Sequence, residues 1–107
     1  MKAVPMIDLR PFAVAVAALA VAAPAGASDQ LARSRNCVAC HHAERHMNGP
    51  AWREIAARYA NDEGAAARLR QKVLEGGAGN WGQSPMPPQA MPQEDADALV
   101  LWILSQK

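Results

Sequence analysis

The sequence predicts an all-α domain behind an export leader. Three observations predict it. Beyond residue 27 the apolar side chains recur at three- and four-residue spacing wherever they are regular, no period-two alternation marks a strand, and Gly or Pro punctuates the apolar stripes. Four to five short helices with long connections and no internal repeats are expected.

Residues 1–27 read as a secretory signal. Lys2, Arg10 and the amino terminus form a cationic start that contains one unusual acid, Asp8. An apolar run of 13 residues follows from Pro11 to Ala23, and Ala25-Gly26-Ala27 has the small-residue pattern of a cleavage site. The run is short for a membrane span, which takes about 20 residues, and no cysteine stands at the cleavage point to receive a lipid. An uncleaved anchor or a buried helix would use similar residues. Removal after Ala27 and a periplasmic domain of residues 28–107 are the expectation.

That domain has 80 residues, which limits its core. The leader takes Lys2, Arg10 and Asp8 from the 11 basic and 10 acidic residues of the chain, leaving nine of each. A formally neutral domain without a basic stripe and interleaved aromatics argues against nucleic acid as a partner; the scattered charges read as solvated helix faces.

In chain order, Ser28 and Asp29 offer caps for a first helix running toward the segment "CVACH" at residues 37–41. Behind Pro50, the residues Trp52, Ile55, Ala56 and Tyr59 fall on one helical face. Asn61 and Asp62 offer caps for a third helix whose Ala66, Leu69 and Val73 share a face, and Gly76-Gly77 ends it. From Glu94 the set Ala96, Leu99, Val100, Ile103 and Leu104 makes the strongest stripe, with acids at its start and Lys107 at its end, as the helix dipole favours. Between the last two helices lies "GGAGNWGQSPMPPQAMPQ", 18 residues without periodicity. A loop of that length marks disorder or function, and its Trp81, Met86 and Met91 are residues that disordered linkers tend to lack.

Cys37 and Cys40 are the only cysteines. A zinc site needs about four ligands; there is no second cysteine pair, although His41, His42 and His46 are nearby. A thioredoxin-like pair belongs in a βαβ context that the helical pattern lacks, and a structural disulfide between residues three apart is sterically awkward. Covalent haem attachment fits each residue type. Cysteines at i and i+3 on one side of a helical turn reach the two vinyl groups of one porphyrin edge as thioethers, and the adjacent His41 reaches the iron.

A second axial ligand must come from elsewhere, with His42, His46, Met47, Met86 and Met91 as candidates. The first three stand too close to His41 for the chain to pass around a porphyrin, and read as exposed histidines and a packing or surface methionine. Met86 lies 45 residues beyond His41 in "SPMPP", where Pro85, Pro87 and Pro88 restrict the backbone and remove amide donors. A rigid loop carrying a soft thioether suits a permanently ligated iron. Met91 is better placed to pack at the start of the last helix.

Through "CVACH", "NGPAWREIAARYA", "NWGQSPMPP" and "LWILSQK" the chain resembles the small bacterial class I cytochromes c of the c551/c552 type, also called c8, over nearly all of residues 28–107. The resemblance implies the class I cytochrome c fold wrapped around one haem c. It also implies three roles: the carbonyl of Pro50 takes a hydrogen bond from the iron-bound histidine, and Trp81 and Lys72 reach haem propionates. Three positions depart from the family pattern. Ala32 stands where an aromatic is frequent, Asn36 where glycine is common, and Gln89 where an asparagine tunes the methionine sulfur.

Both readings converge on one-electron transfer rather than catalysis, with histidine and methionine leaving no vacant position for substrate. The alternatives are a haem sensor or peroxidase-like enzyme with a labile Met86, or a haem subunit of a larger reductase or oxidase. Expected partners are redox proteins that dock transiently at the haem edge: a donor such as a membrane cytochrome complex and an acceptor such as a terminal reductase, oxidase or peroxidase. A small weak interface near Val38, Met47, Pro50, Ala51, Gly82 and Pro87 suits that exchange. The expected carrier is a monomer without a stable membrane anchor.

Overall fold

The computed structural model describes residues 2–7, 11, 13, 15 and 26–107. Most of the leader's apolar run, and Ala25 of its cleavage pattern, lie outside the described residues. The described chain is helical: α1 (Gly26–Ser34), a 3₁₀ turn (Cys37–Ala39), α2 (Trp52–Arg58), α3 (Ala65–Glu75) and α4 (Gln93–Leu104). Among the described residues the only extended pairing is an isolated antiparallel bridge between Gly77 and Met86. No described helix is long and apolar enough to cross a membrane.

α1 starts two residues ahead of Ser28, which places Asp29 in the first turn, where it pairs with Arg33 at 3.1 Å. Its Ala32 is fully buried, and α1 packs against α4. The helix stops short of the cysteines because Asn36 takes a left-handed conformation, φ 61° and ψ 24°. Asparagine is one of the few residues other than glycine that enters this region readily, which accounts for its standing where the family favours glycine. Arg35 then ties this corner to the start of α4, through the Ala90 carbonyl and the Asp95 carboxylate, both at 3.2 Å.

α2 follows Pro50 as the apolar spacing requires. Its first free amides find partners across the chain: the Trp52 N–H donates to the His42 carbonyl at 3.0 Å and the Arg53 N–H to that of Ala43 at 3.2 Å. α3 starts two residues later than a cap at Asp62 implies. Asp62 works one step outside the helix, accepting the Gly64 amide at 3.0 Å and the Arg68 guanidinium, while Gly64 occupies the cap position. Gly76, with φ 70°, stops α3 as expected.

α4 buries Ala96, Leu99, Val100 and Ile103 and packs on α1, α2 and α3, so this helix is the centre of the fold. Its acids Glu94 and Asp95 lie in the first turn. Lys107 lies beyond the helix end; Ser105 Oγ and Gln106 Nε2 serve the Trp102 carbonyl there instead, at 2.6 and 3.0 Å. The core cluster is Trp52, Ile55 and Ile103, with Tyr59, Leu69, Trp81 and Trp102 packed on it. The Trp52 and Trp102 rings meet edge to face at 5.6 Å.

Candidate haem site

α2, α3, α4, the 3₁₀ turn and the long loop enclose a cavity of about 280 Å³. Its walls include Trp52 and Ile55 from α2, Leu69 and Val73 from α3, and Leu99, Val100 and Ile103 from α4. Part of each face recognised by helical spacing therefore lines this space, whereas Ala56, Tyr59, Ala66, Ala96 and Leu104 do not.

The 3₁₀ turn shapes the cysteine edge. The amides of Cys40 and His41 both donate to the Cys37 carbonyl, at 3.2 and 3.0 Å, and residues three apart in such a turn eclipse one another. Cys37 and Cys40 are half-buried free thiols, both lining the cavity. Burial pushes the Cys37 thiol above its ordinary value, so at neutral pH it stays protonated.

His41 sits between a hydrogen bond and a stacked ring. Its Nδ1 is 2.7 Å from the Pro50 carbonyl oxygen, which only accepts, so Nδ1 carries the proton and Nε2 holds the free lone pair. The Trp52 ring stacks on the imidazole at 4.6 Å with 17° between planes. Burial lowers the His41 pKa, with the Pro50 carbonyl acting in the opposite sense, so the imidazole is neutral and suited to bind a metal. Gly49 makes this packing possible: a Cβ there would lie 2.5 Å from His41 Cε1 and 2.9 Å from Nδ1.

Met86 is carried to the cavity by the long loop, which is ordered rather than a free linker. Gly77 and Met86 exchange two backbone hydrogen bonds at 2.9 Å, Gly79 donates to Gly82 at 2.9 Å, and Gln89 donates to Val73 of α3 at 3.0 Å.

All seven residues singled out from the sequence, Cys37, Cys40, His41, Pro50, Lys72, Trp81 and Met86, line this one cavity, and His42, His46, Met47 and Met91 are not among its lining residues. His42 is half-buried rather than exposed, because its Nδ1 accepts the Glu44 and Arg45 amides at 3.0 and 3.2 Å. His46 is exposed and pairs with Glu54 at 3.2 Å. Of the positions expected at the docking edge, Val38, Met47, Gly82 and Pro87 are exposed, whereas Pro50 and Ala51 are buried under the turn that holds His41.

Two arginines went unnoticed in the sequence. Arg35 lines the cavity. Arg58 lays its guanidinium 4.4 Å from the centre of the Trp81 ring and donates to the Asn80 carbonyl at 2.6 Å, tying the loop to α2. Neither has a local motif; both contacts exist only once the chain has folded.

The Cytochrome c family model matches residues 26–107, nearly all of the helical chain just described. The chain belongs to the cytochrome c family. Cytochrome c-551 of Allochromatium vinosum is 48% identical over 92 residues, covering 85% of this chain and 98% of that protein. Cytochrome c-552 of Nitrosomonas europaea is 47% identical over 94 residues, covering 87% and 91%. The crystal structure of wild-type Nitrosomonas europaea cytochrome c552 superposes with a TM-score of 0.71 at 46% identity, covering 74% of this chain and 99% of that one. This cytochrome c therefore has the class I all-α fold and binds one haem c through Cys37 and Cys40. The apolar walls, the paired thiols at one edge and the unprotonated Nε2 of His41 fit that group. It is a small electron-transport cytochrome that passes electrons to redox partners.

Proposed function

We propose that the chain is a soluble, monomeric periplasmic electron carrier, exported by a leader removed after Ala27, with His41 and Met86 as axial ligands of its haem iron. The observation that carries this reading is that one cavity gathers His41 and Met86, 45 residues apart, with His41 Nδ1 committed to Pro50 at 2.7 Å.

The bound haem supplies a one-electron Fe(III)/Fe(II) couple. Cys37 and Cys40 fix its edge as thioethers. His41 offers Nε2 to the iron because the Pro50 carbonyl holds its other nitrogen and Trp52 and Gly49 fix its ring plane. Met86, clipped by its bridge to Gly77, offers a thioether that favours the ferrous state and raises the potential. Trp81 and Lys72 would hold the propionates, and the apolar side chains of α3 and α4 that line the cavity would shield the group from water. With His41 and Met86 both holding the iron, no position on it would be left for a substrate, which supports a carrier over an enzyme. The exposed Val38, Met47, Gly82 and Pro87 form the edge at which donor and acceptor proteins dock briefly. A membrane cytochrome complex suits the donor, and a terminal reductase, oxidase or peroxidase the acceptor.

The test is intact mass and ferric absorption of the exported protein. A chain starting at Ser28, heavier by one haem that resists acid and solvent extraction, with the weak far-red band of an iron–thioether complex, is expected. Freely extracted haem or a missing far-red band would overturn the assignment.

A further inference from the structure

We infer that Glu54 is a positioning residue for the axial imidazole, acting through the Pro50–Ala51 peptide group; this rests on His41 being an iron ligand, as proposed above. The two ends of that one planar amide face different partners. Its oxygen accepts His41 Nδ1–H at 2.7 Å, and its N–H, on Ala51, donates to Glu54 Oε1 at 2.9 Å. Pro50 and Ala51 are buried, so the amide itself is shielded from water, while the Glu54 carboxylate is part-exposed.

Amide resonance couples the two ends. A carboxylate accepting the N–H draws the amide toward its charge-separated form, enriches the carbonyl oxygen, and strengthens the bond from His41; hydrogen bonds in series reinforce one another in this way. A firmer pull on Nδ1–H makes Nε2 more basic, as partners of metal-bound histidines do, and a more basic ligand favours Fe(III).

The Glu54 oxygen that takes the Ala51 amide has a second partner. His46 Nδ1 lies 3.2 Å from Oε1 and must donate, since a carboxylate only accepts. The neighbouring Arg53 directs its guanidinium to Glu44 at 3.4 Å. Glu54 also serves as an ordinary helix cap, being the third residue of α2. Its cap function needs only an oxygen, whereas the effect on the iron needs the charge, and that difference separates the two roles.

The experiment compares Glu54→Gln, Glu54→Asp and Glu44→Gln in the haem-loaded protein. It reads the reduction potential at low and high salt and the His41 Nδ1–H proton resonance of the ferrous form. Glu54→Gln keeps an oxygen for the Ala51 amide and should shift the equilibrium toward Fe(II) roughly three- to ten-fold, about 30 to 60 mV at 59 mV per tenfold. It should move the Nδ1–H resonance upfield, and the potential shift should survive salt. Glu54→Asp, which keeps the charge, should restore most of both values even if it lowers stability equally. Glu44→Gln, off this path, should change neither. An unmoved Nδ1–H resonance, or a Glu54→Gln shift no larger than that of Glu44→Gln, would overturn the inference while leaving His41 ligation standing. A wild-type spectrum without histidine ligation would overturn both.

Discussion

Gly77 and Met86 face each other across two backbone hydrogen bonds of 2.9 Å, one in each direction. This clip joins the end of α3 to the middle of the proline-flanked stretch and aims residue 86 at the cavity. A thioether held by its backbone would lose little further freedom on binding iron, which supports Met86 as the proposed ligand.

Met86→Ala should therefore abolish the far-red ferric band, open the iron to carbon monoxide, and lower the potential by a sizeable part of the ~0.8 V span set by axial ligation. Met91→Ala is the control: its side chain is half-buried and outside the cavity lining, so the expected loss is about 1–2 kcal/mol of packing. Spectra, carbon monoxide titration and voltammetry on both variants decide. A lost band in Met91→Ala with a retained one in Met86→Ala would reverse the ligand assignment.

The clip also explains why Gly76 has to be glycine. A Cβ there would collide with the Met86 carbonyl oxygen and lie 2.8 Å from Pro88 N, in a residue already at φ 70°. Gly82 shares the positive φ, at 106°, but a Cβ there would meet nothing within 4 Å. Gly76→Ala should cost about 2 kcal/mol or more, from left-handed strain plus the clash, and Gly82→Ala about 1 kcal/mol from strain alone. Denaturant titration of the two variants checks the order, and only Gly76→Ala should also weaken the far-red band.

Much of this was legible in the sequence because the signals are local. The stripes Trp52-Ile55-Ala56 and Ala96-Leu99-Val100-Ile103 are buried as their spacing required, and Cys37, Cys40 and His41 announce their chemistry within five residues. Boundaries were less legible where capping moved outside the helix: Asp62 binds the Gly64 amide ahead of α3 rather than capping its first turn. Relationships closed by the fold left no trace in the sequence. Arg58 on Trp81 spans 23 positions, and of the path from Glu54 to His41 only the Pro50 carbonyl was anticipated, through the family resemblance.

Asn36 supports a prediction about a departure from the family pattern. It is the only described non-glycine residue with positive φ, and it turns the chain from α1 into the cysteine motif. Asn36→Ala should cost about 1–2 kcal/mol, the price of a left-handed conformation for a residue with a Cβ, whereas Asn36→Gly should be near neutral. Equal losses in thermal denaturation of the haem-loaded variants would show that the Asn36 side chain, rather than its backbone angle, matters.

The last prediction concerns the haem as part of the core. Leu99 and Val100 are the largest fully buried side chains, a small set for a whole domain. Many of the other apolar residues, including Trp52, Ile55, Leu69 and Ile103, face the cavity of about 280 Å³. Left without haem, that cleft would expose these apolar walls to water, removing burial that a domain of marginal stability needs. If the walls did collapse, Met86 and Trp81 would leave the positions that the loop holds for them. Either way the chain without haem lacks a well-packed native state. Cys37→Ser combined with Cys40→Ser, purified free of haem, should show reduced helical circular dichroism and no cooperative melt, while the haem-loaded wild type melts in one transition. Full helix content and a sharp melt in the haem-free double variant would mean that α1 to α4 are held by their own contacts, with the haem an occupant rather than the centre of the fold.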